Sequence, residues 1–121
     1  MTTFISFSGN LAKAPELRTD KNDRPFTFAR VIRTDRVRNK QTGEFEDGGT
    51  EGYDVAVWGA QAEVLCDLAE RCGNIRVQVS GEEVLELYKP EGGEARTVRK
   101  VLDADVSVSL AGQHVTVERR N

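Results

Sequence analysis

Aromatic residues are scarce in this chain. One Trp, two Tyr and five Phe make up 7% of its 121 residues, so any site built on ring stacking has few positions to draw on. Cysteine is scarcer still. Cys66 and Cys72 stand six residues apart in a helical pattern, about 9 Å along a helix axis, which is too far for a disulfide. They form no C-x-x-C and read as two reduced packing residues in a reducing, cytoplasmic setting. The one histidine, His114, has no neighbours with metal-ligand spacing, so neither metal nor cofactor is expected. No signal peptide and no membrane-length apolar run is visible. G-x-S-x-G, Walker A and G-x-G-x-x-G motifs are all missing. Glu82 and Glu83 form an acidic pair, but adjacent strand residues point to opposite faces. An enzyme is therefore not expected.

Basic charge is also short overall, at a formal net charge of −3. Its distribution matters more than its sum. Residues 1–42 carry nine Lys/Arg against four Asp/Glu, and residues 43–121 carry eight against sixteen. The basic N-terminal third leaves an anionic partner open.

What is present reads as many short strands and one helix. The length suits one domain, residues 1–121. Period-2 alternation predicts strands over 3–8, 26–37, 50–59, 74–81, 82–88 and 95–110, with a short last strand over 114–120. Gly9-Asn10 is expected to end the first strand, where the chain leaves the barrel wall. In the second strand Phe26 and Phe28 share one parity and Ala29 and Val31 the other, so a bulge near 28–30 is expected to reconcile them. Residues 38–49 read as a flap. Residues 60–71 read as the helix, with apolar positions 65, 68, 69 and 72 and a capping Gly73. This order predicts an all-β fold, a five-stranded Greek-key OB barrel with one helix between the third and fourth strands and an extra C-terminal strand.

Three features invite a functional reading. In "YDVAVWG", Tyr53, Val55 and Val57 form the core face, which leaves Trp58 on the other. It lies under a loop, in a subunit contact, or open as a stacking platform for bases. In "EVLELY", Leu85 and Leu87 are expected to look inward and Val84, Glu86 and Tyr88 outward, Tyr88 being a second platform or an exposed hairpin residue. Arg18, Arg24, Arg30, Arg33, Arg36, Arg38 and Lys40 follow the long second strand and its flanks. They read either as a phosphate-binding groove or as a solvated strand with local ion pairs.

Together these residues resemble the bacterial single-stranded DNA-binding protein family, from about residue 4 to residue 110. "GNLAKAPELR" is similar to that family's G-N-L-x-x-x-P-E-L-R. "NKQTGEFEDGGTEGYDVAVWGAQAEVL" is similar to its flap, third strand and helix entry, and "VSGEEVLELY" to its following strand and hairpin. The resemblance implies an OB fold and a homotetramer, a dimer of dimers whose first strand, Phe4, Ile5, Ser6, Phe7 and Ser8, lies at the dimer contact. It implies sequence-independent binding of single-stranded DNA in replication, recombination and repair, at the nucleoid, without catalysis. Trp58 and Tyr88 match stacking aromatics, Arg18 a phosphate contact, and Arg38 and Lys40 basic positions near the flap. Arg30, Arg33 and Arg36 join the expected DNA set from the charge pattern.

The departures are Val37 and Gly52 where the family often has aromatics, Asp54 at a basic position, and an acidic "EEVLEL" hairpin. Weaker binding or a shorter footprint is expected, with salt sensitivity lower by about 0.7 of log–log slope per lost phosphate contact. The basic "VERRN" ending replaces the family's acidic tip, so tip-mediated recruitment of repair proteins is not expected. The alternative is an OB-fold paralogue acting mainly as an interaction module in replication restart.

Overall fold

A computed structural model describes residues 2–119. Six strands and one helix follow in order: β1 (Thr3–Leu11), β2 (Arg18–Thr19), β3 (Pro25–Arg38), β4 (Phe45–Trp58), α1 (Ala60–Cys72), β5 (Arg76–Tyr88) and β6 (Arg96–Val108). Their lateral order is β1-β5-β6-β4-β3-β2, and β1 also pairs with β3. That last pairing closes five strands into a barrel and leaves β2 outside it, along β3. All pairings are antiparallel except β4 with β6, which meet in parallel at Asp54↔Lys100 and Val55↔Val101. This is the expected OB topology.

The barrel closes because one residue parity on its strands is apolar. Ala29 and Val31 of β3, Tyr53, Val55 and Val57 of β4, Val77 and Val79 of β5, and Val101 of β6 are at most 2% exposed. Helix α1 plugs the barrel through Ala62, Leu65 and Ala69. Gly73, at φ 77°, ends α1, and its N–H donates to the Ala69 carbonyl at 2.8 Å, as the C-terminal glycine rule anticipates.

Several expectations need correction. Gly9-Asn10 does not end β1. Gly9 pairs with Val77, and Asn10 pairs with both Arg76 and Ile32. A Cβ on Gly9 would stand 2.6 Å from the Ile32 carbonyl oxygen, so glycine is needed where β1 is shared between two strands. No bulge lies at 28–30, since β3 runs in register with β4 from Phe26 to Thr34 and shifts only between Thr34 and Arg36. The barrel takes Ala29 and Val31 inside and turns Phe26 and Phe28 out. Residues 45–49 belong to β4 rather than to a flap, and 76–88 form one strand with a register shift between Ser80 and Glu82.

Leu85 and Leu87 do not look into a core. They are 57% and 74% exposed, because the β5–β6 hairpin runs on past the barrel and its inward parity finds nothing to pack on. The extra C-terminal strand is not formed: residues 114–119 carry no strand pairing. Alternating Val115 and Val117 favour an extended chain, but a strand needs a partner edge. Gln113 is the last anchor of this segment, bonding the N–H and carbonyl of Arg76 and the carbonyl of Ser109.

Candidate nucleic-acid interface

Directly paired residues of neighbouring strands share a face, so register alone assembles the outer surface. One row across β2, β3 and β4 reads Arg18, Phe26, Trp58. The next pairs Phe28 with Ala56. The third reads Arg30, Asp54, Lys100 and Val84 across β3, β4, β6 and β5. All of these side chains lie opposite the core parity of Ala29, Val31, Val55 and Val57.

Three rings form one cluster on this face. The Phe26 and Trp58 ring centroids are 5.0 Å apart and stacked at 29°, and Phe26 meets Phe28 edge-on at 6.0 Å. Cations border the rings. The Arg24 guanidinium stands 4.6 Å from the Trp58 ring centre and the Lys100 ammonium 5.7 Å from that of Phe28. Phe28 is 47% exposed, while Phe26 and Trp58 are partly buried. Farther along the β5–β6 hairpin, Tyr88 is 48% exposed with Arg96 at 5.2 Å from its ring.

Carboxylates occupy much of the cationic surface. Arg30 Nη1 donates to Asp54 Oδ1 at 3.0 Å, Arg99 Nε to Glu51 Oε1 at 2.7 Å, and Lys100 Nζ meets Glu86 Oε2 at 2.9 Å. Arg18 has Glu16 at 3.7 Å. A polar cleft of about 340 Å³ opens where β4 and β6 diverge, lined by Arg30, Glu51, Gly52, Asp54, Arg96 and Arg99. The Arg30 guanidinium lies so closely over Gly52 that a Cβ there would overlap it. Arginine thus fills the surface above a residue without a side chain. Among the described residues, no group of three or more His, Cys, Asp or Glu is placed to hold a metal ion.

The profile of the Single-strand binding protein family matches residues 3–109, nearly the whole of this barrel. The chain belongs to the single-strand binding protein family. Among named members of that family, the single-stranded DNA-binding protein of Corynebacterium glutamicum is 32% identical over 117 residues, covering 97% of this chain and 51% of its own length. That of Mycobacterium bovis is 32% identical over 108 residues, covering 89% and 65%. The chain thus spans between half and two thirds of the length of these relatives. The small single-stranded DNA-binding protein of Streptomyces coelicolor superposes with a TM-score of 0.76 at 25% identity, over 92% of this chain and 97% of that one. A Plasmodium falciparum SSB structure shares the fold, with a TM-score of 0.61 at 13% identity over 88% of this chain and 93% of that one.

The barrel of this single-strand binding family member brings together some of the residues singled out from sequence and separates others. Trp58, Arg18 and Arg30 share the outer face. Tyr88 lies on the hairpin whose Val84–Glu86–Tyr88 parity continues it. Arg38 ends β3 and Lys40 lies in the following turn, at the tip of the β3–β4 hairpin. Arg33 sits on the opposite parity from Arg30. Its guanidinium is 5.7 Å from the Tyr53 ring, and its Nε is buried without a hydrogen-bond partner, 3.5 Å from Asp35. The Arg36 side chain lies outside the described residues. In β1, Phe7 faces the core, 4.4 Å from Tyr53 between ring centroids, and Ile5 packs against it. Phe4 is 77% exposed and Ser6 is exposed.

Phe26, Phe28 and Lys100 on this face, and Arg96 beside Tyr88, are not among the residues singled out from sequence. The signal for the two phenylalanines was available: once Ala29 and Val31 are taken as core, Phe26 and Phe28 must share a face with Arg30. For Lys100 no local signal exists, because its place depends on the parallel β4–β6 contact.

Proposed function

We propose that this chain binds single-stranded DNA without sequence preference and without catalysis. The observation that carries this reading is the Phe26–Trp58–Phe28 cluster, outward-facing on a β-sheet and bordered by Arg18, Arg24 and Lys100. Rings offer a face to any base, and stacking on them is worth about 1–3 kcal/mol per base regardless of sequence. Arg18 and Arg30, with Arg38 and Lys40 at the tip of the β3–β4 hairpin, supply the phosphate contacts, and Arg36 joins them on the charge pattern alone; Arg33, turned toward Tyr53, is not among them. Tyr88 extends the stacking surface along the β5–β6 hairpin. The aromatic face favours this reading over that of a protein-interaction module.

The assembly proposed with it uses β1. Residues 3–8 pair with β5 on one side only, and β3 is reached only at Asn10 and Leu11. The other edge of Thr3–Ser8 therefore offers N–H and C=O groups to a second copy, with Phe4 and Ser6 beside it. A dimer built this way, paired again into a tetramer, would place several aromatic faces on one strand of DNA during replication, recombination and repair at the nucleoid.

Trp58 is the sole tryptophan, so intrinsic fluorescence reports this face directly. Oligo-dT is expected to quench it, more strongly at low salt than at moderate salt. An unchanged emission at both, with no rise in the anisotropy of a labelled oligo-dT, would sink the proposal.

A further inference from the structure

Phe28 is the most exposed ring of the outer cluster, and its surroundings differ from those of a stray surface phenylalanine. Single exposed apolar residues are ordinary and need no explanation. Here, however, the ring stands between two rows of the sheet that both carry cations: Arg18–Phe26–Trp58 on one side and Arg30–Asp54–Lys100 on the other. Phe26 buttresses it edge-on at 6.0 Å and so fixes its tilt. Its cross-strand partner is Ala56, whose methyl group raises no wall on that side. Lys100 holds an ammonium 5.7 Å from the ring centre, within reach of a phosphate attached to a nucleoside lying on the ring.

Resting on the DNA reading above, we infer that Phe28 is the principal base-stacking platform of this chain, with Lys100 taking the adjoining phosphate. Trp58 has less to offer a base than Phe28, because Phe26 stacks against it and Arg24 stands over its ring. Its role is the inner end of the platform, fixing Phe26, which in turn fixes Phe28. Lys100 Nζ meets Glu86 Oε2 at 2.9 Å. A phosphate takes over that partnership when a base settles on Phe28. This places aromatic surface on β3, whereas Val37 and Gly52 leave their own positions without rings.

Binding of a labelled oligo-dT of about 16 nucleotides, near the upper site size of one OB fold, tests this by fluorescence anisotropy. Phe28→Leu keeps the apolar volume and removes the π-face. It is expected to weaken binding about 5- to 150-fold while leaving the log–log salt slope unchanged. Lys100→Gln is expected to lower that slope by about 0.7. On an abasic oligonucleotide of equal length, Phe28→Leu and wild type are expected to bind alike.

A second measurement does not depend on the leucine variant. With Trp58→Phe and Phe28→Trp combined, the only indole sits at position 28, and oligo-dT is expected to quench it. Wild-type protein that ignores oligo-dT overturns this inference together with the DNA reading. Wild-type binding with Phe28→Leu unaffected, equal loss on the abasic strand, or an unquenched indole at 28 overturns the platform alone.

Discussion

Replacing Asp54 by Asn is expected to strengthen DNA binding rather than weaken it. Asp54 Oδ1 accepts from Arg30 Nη1 at 3.0 Å, with the two side chains 34% and 42% exposed. At that exposure the pair is worth about 1 kcal/mol or less to folding, so its loss leaves the barrel intact. Its consequence for binding is larger. Arg30 lies in the outer row next to Phe28 and over Gly52, in a cleft that also holds Arg96 and Arg99. The Asp54 carboxylate occupies Arg30 Nη1 and sets a like charge beside any phosphate that approaches this guanidinium. With Asn at 54, volume is kept and the competing charge is gone.

One added phosphate contact steepens the log–log salt dependence by about 0.7. Between about 50 and about 200 mM salt, a fourfold change, that slope corresponds to about 2.6-fold. The advantage of Asp54→Asn over wild type should therefore shrink about 2.6-fold across that range. Anisotropy titrations of oligo-dT at several salt concentrations read both quantities. Equal slopes for the two proteins, or weaker binding by the variant at low salt, would refute the idea that Asp54 masks Arg30.

Other outcomes follow from the packing. Leu65→Ala, which removes a 5%-exposed side chain from the helix that plugs the barrel, should cost about 2–4 kcal/mol in chemical denaturation; a loss below about 1 kcal/mol would mean that α1 does not seal the core. Gly9→Ala forces a Cβ to within 2.6 Å of a backbone oxygen and should destabilise by about 1–3 kcal/mol, measured the same way, whereas a neutral result would contradict the double pairing of β1. Burial pushes the Cys66 thiol pKa up, partly offset by its hydrogen bond with Thr27, so less thiolate is present near neutral pH. Cys72 is exposed. Iodoacetamide should modify Cys72 first and Cys66 slowly, with the Cys66 rate still rising with pH above the range where an ordinary thiol has levelled off; mass spectrometry of peptides shows the order, and faster labelling of Cys66 would be incompatible with its packing.

Legibility of the sequence varied with the range of the interaction that decides each feature. The alternation Tyr53-Val55-Val57 marks a buried face because a strand repeats every two residues, and the structure buries all three. The amphipathic spacing of α1 and its capping Gly73 are equally local, and both were readable. Leu85 and Leu87 misled because periodicity reports parity and not whether a core lies on that side. The same limit applies to Val115 and Val117, whose alternation describes an extended chain but supplies no partner edge.

The outer aromatic face shows the division most clearly. The sequence by itself determined that Trp58 points away from the core, that the basic residues gather in the first third, and that this chain resembles the single-strand binding family. These follow from composition, period and motif, which need no knowledge of distant contacts. Only the tertiary structure decided that Phe26 and Phe28 join Trp58, that Arg30 is held by Asp54 across β3 and β4, and that Lys100 reaches Phe28 from β6. Those pairings depend on register between strands far apart in the chain, and register is set by closing the barrel, with Gly9 at the point where β1 must serve two strands at once.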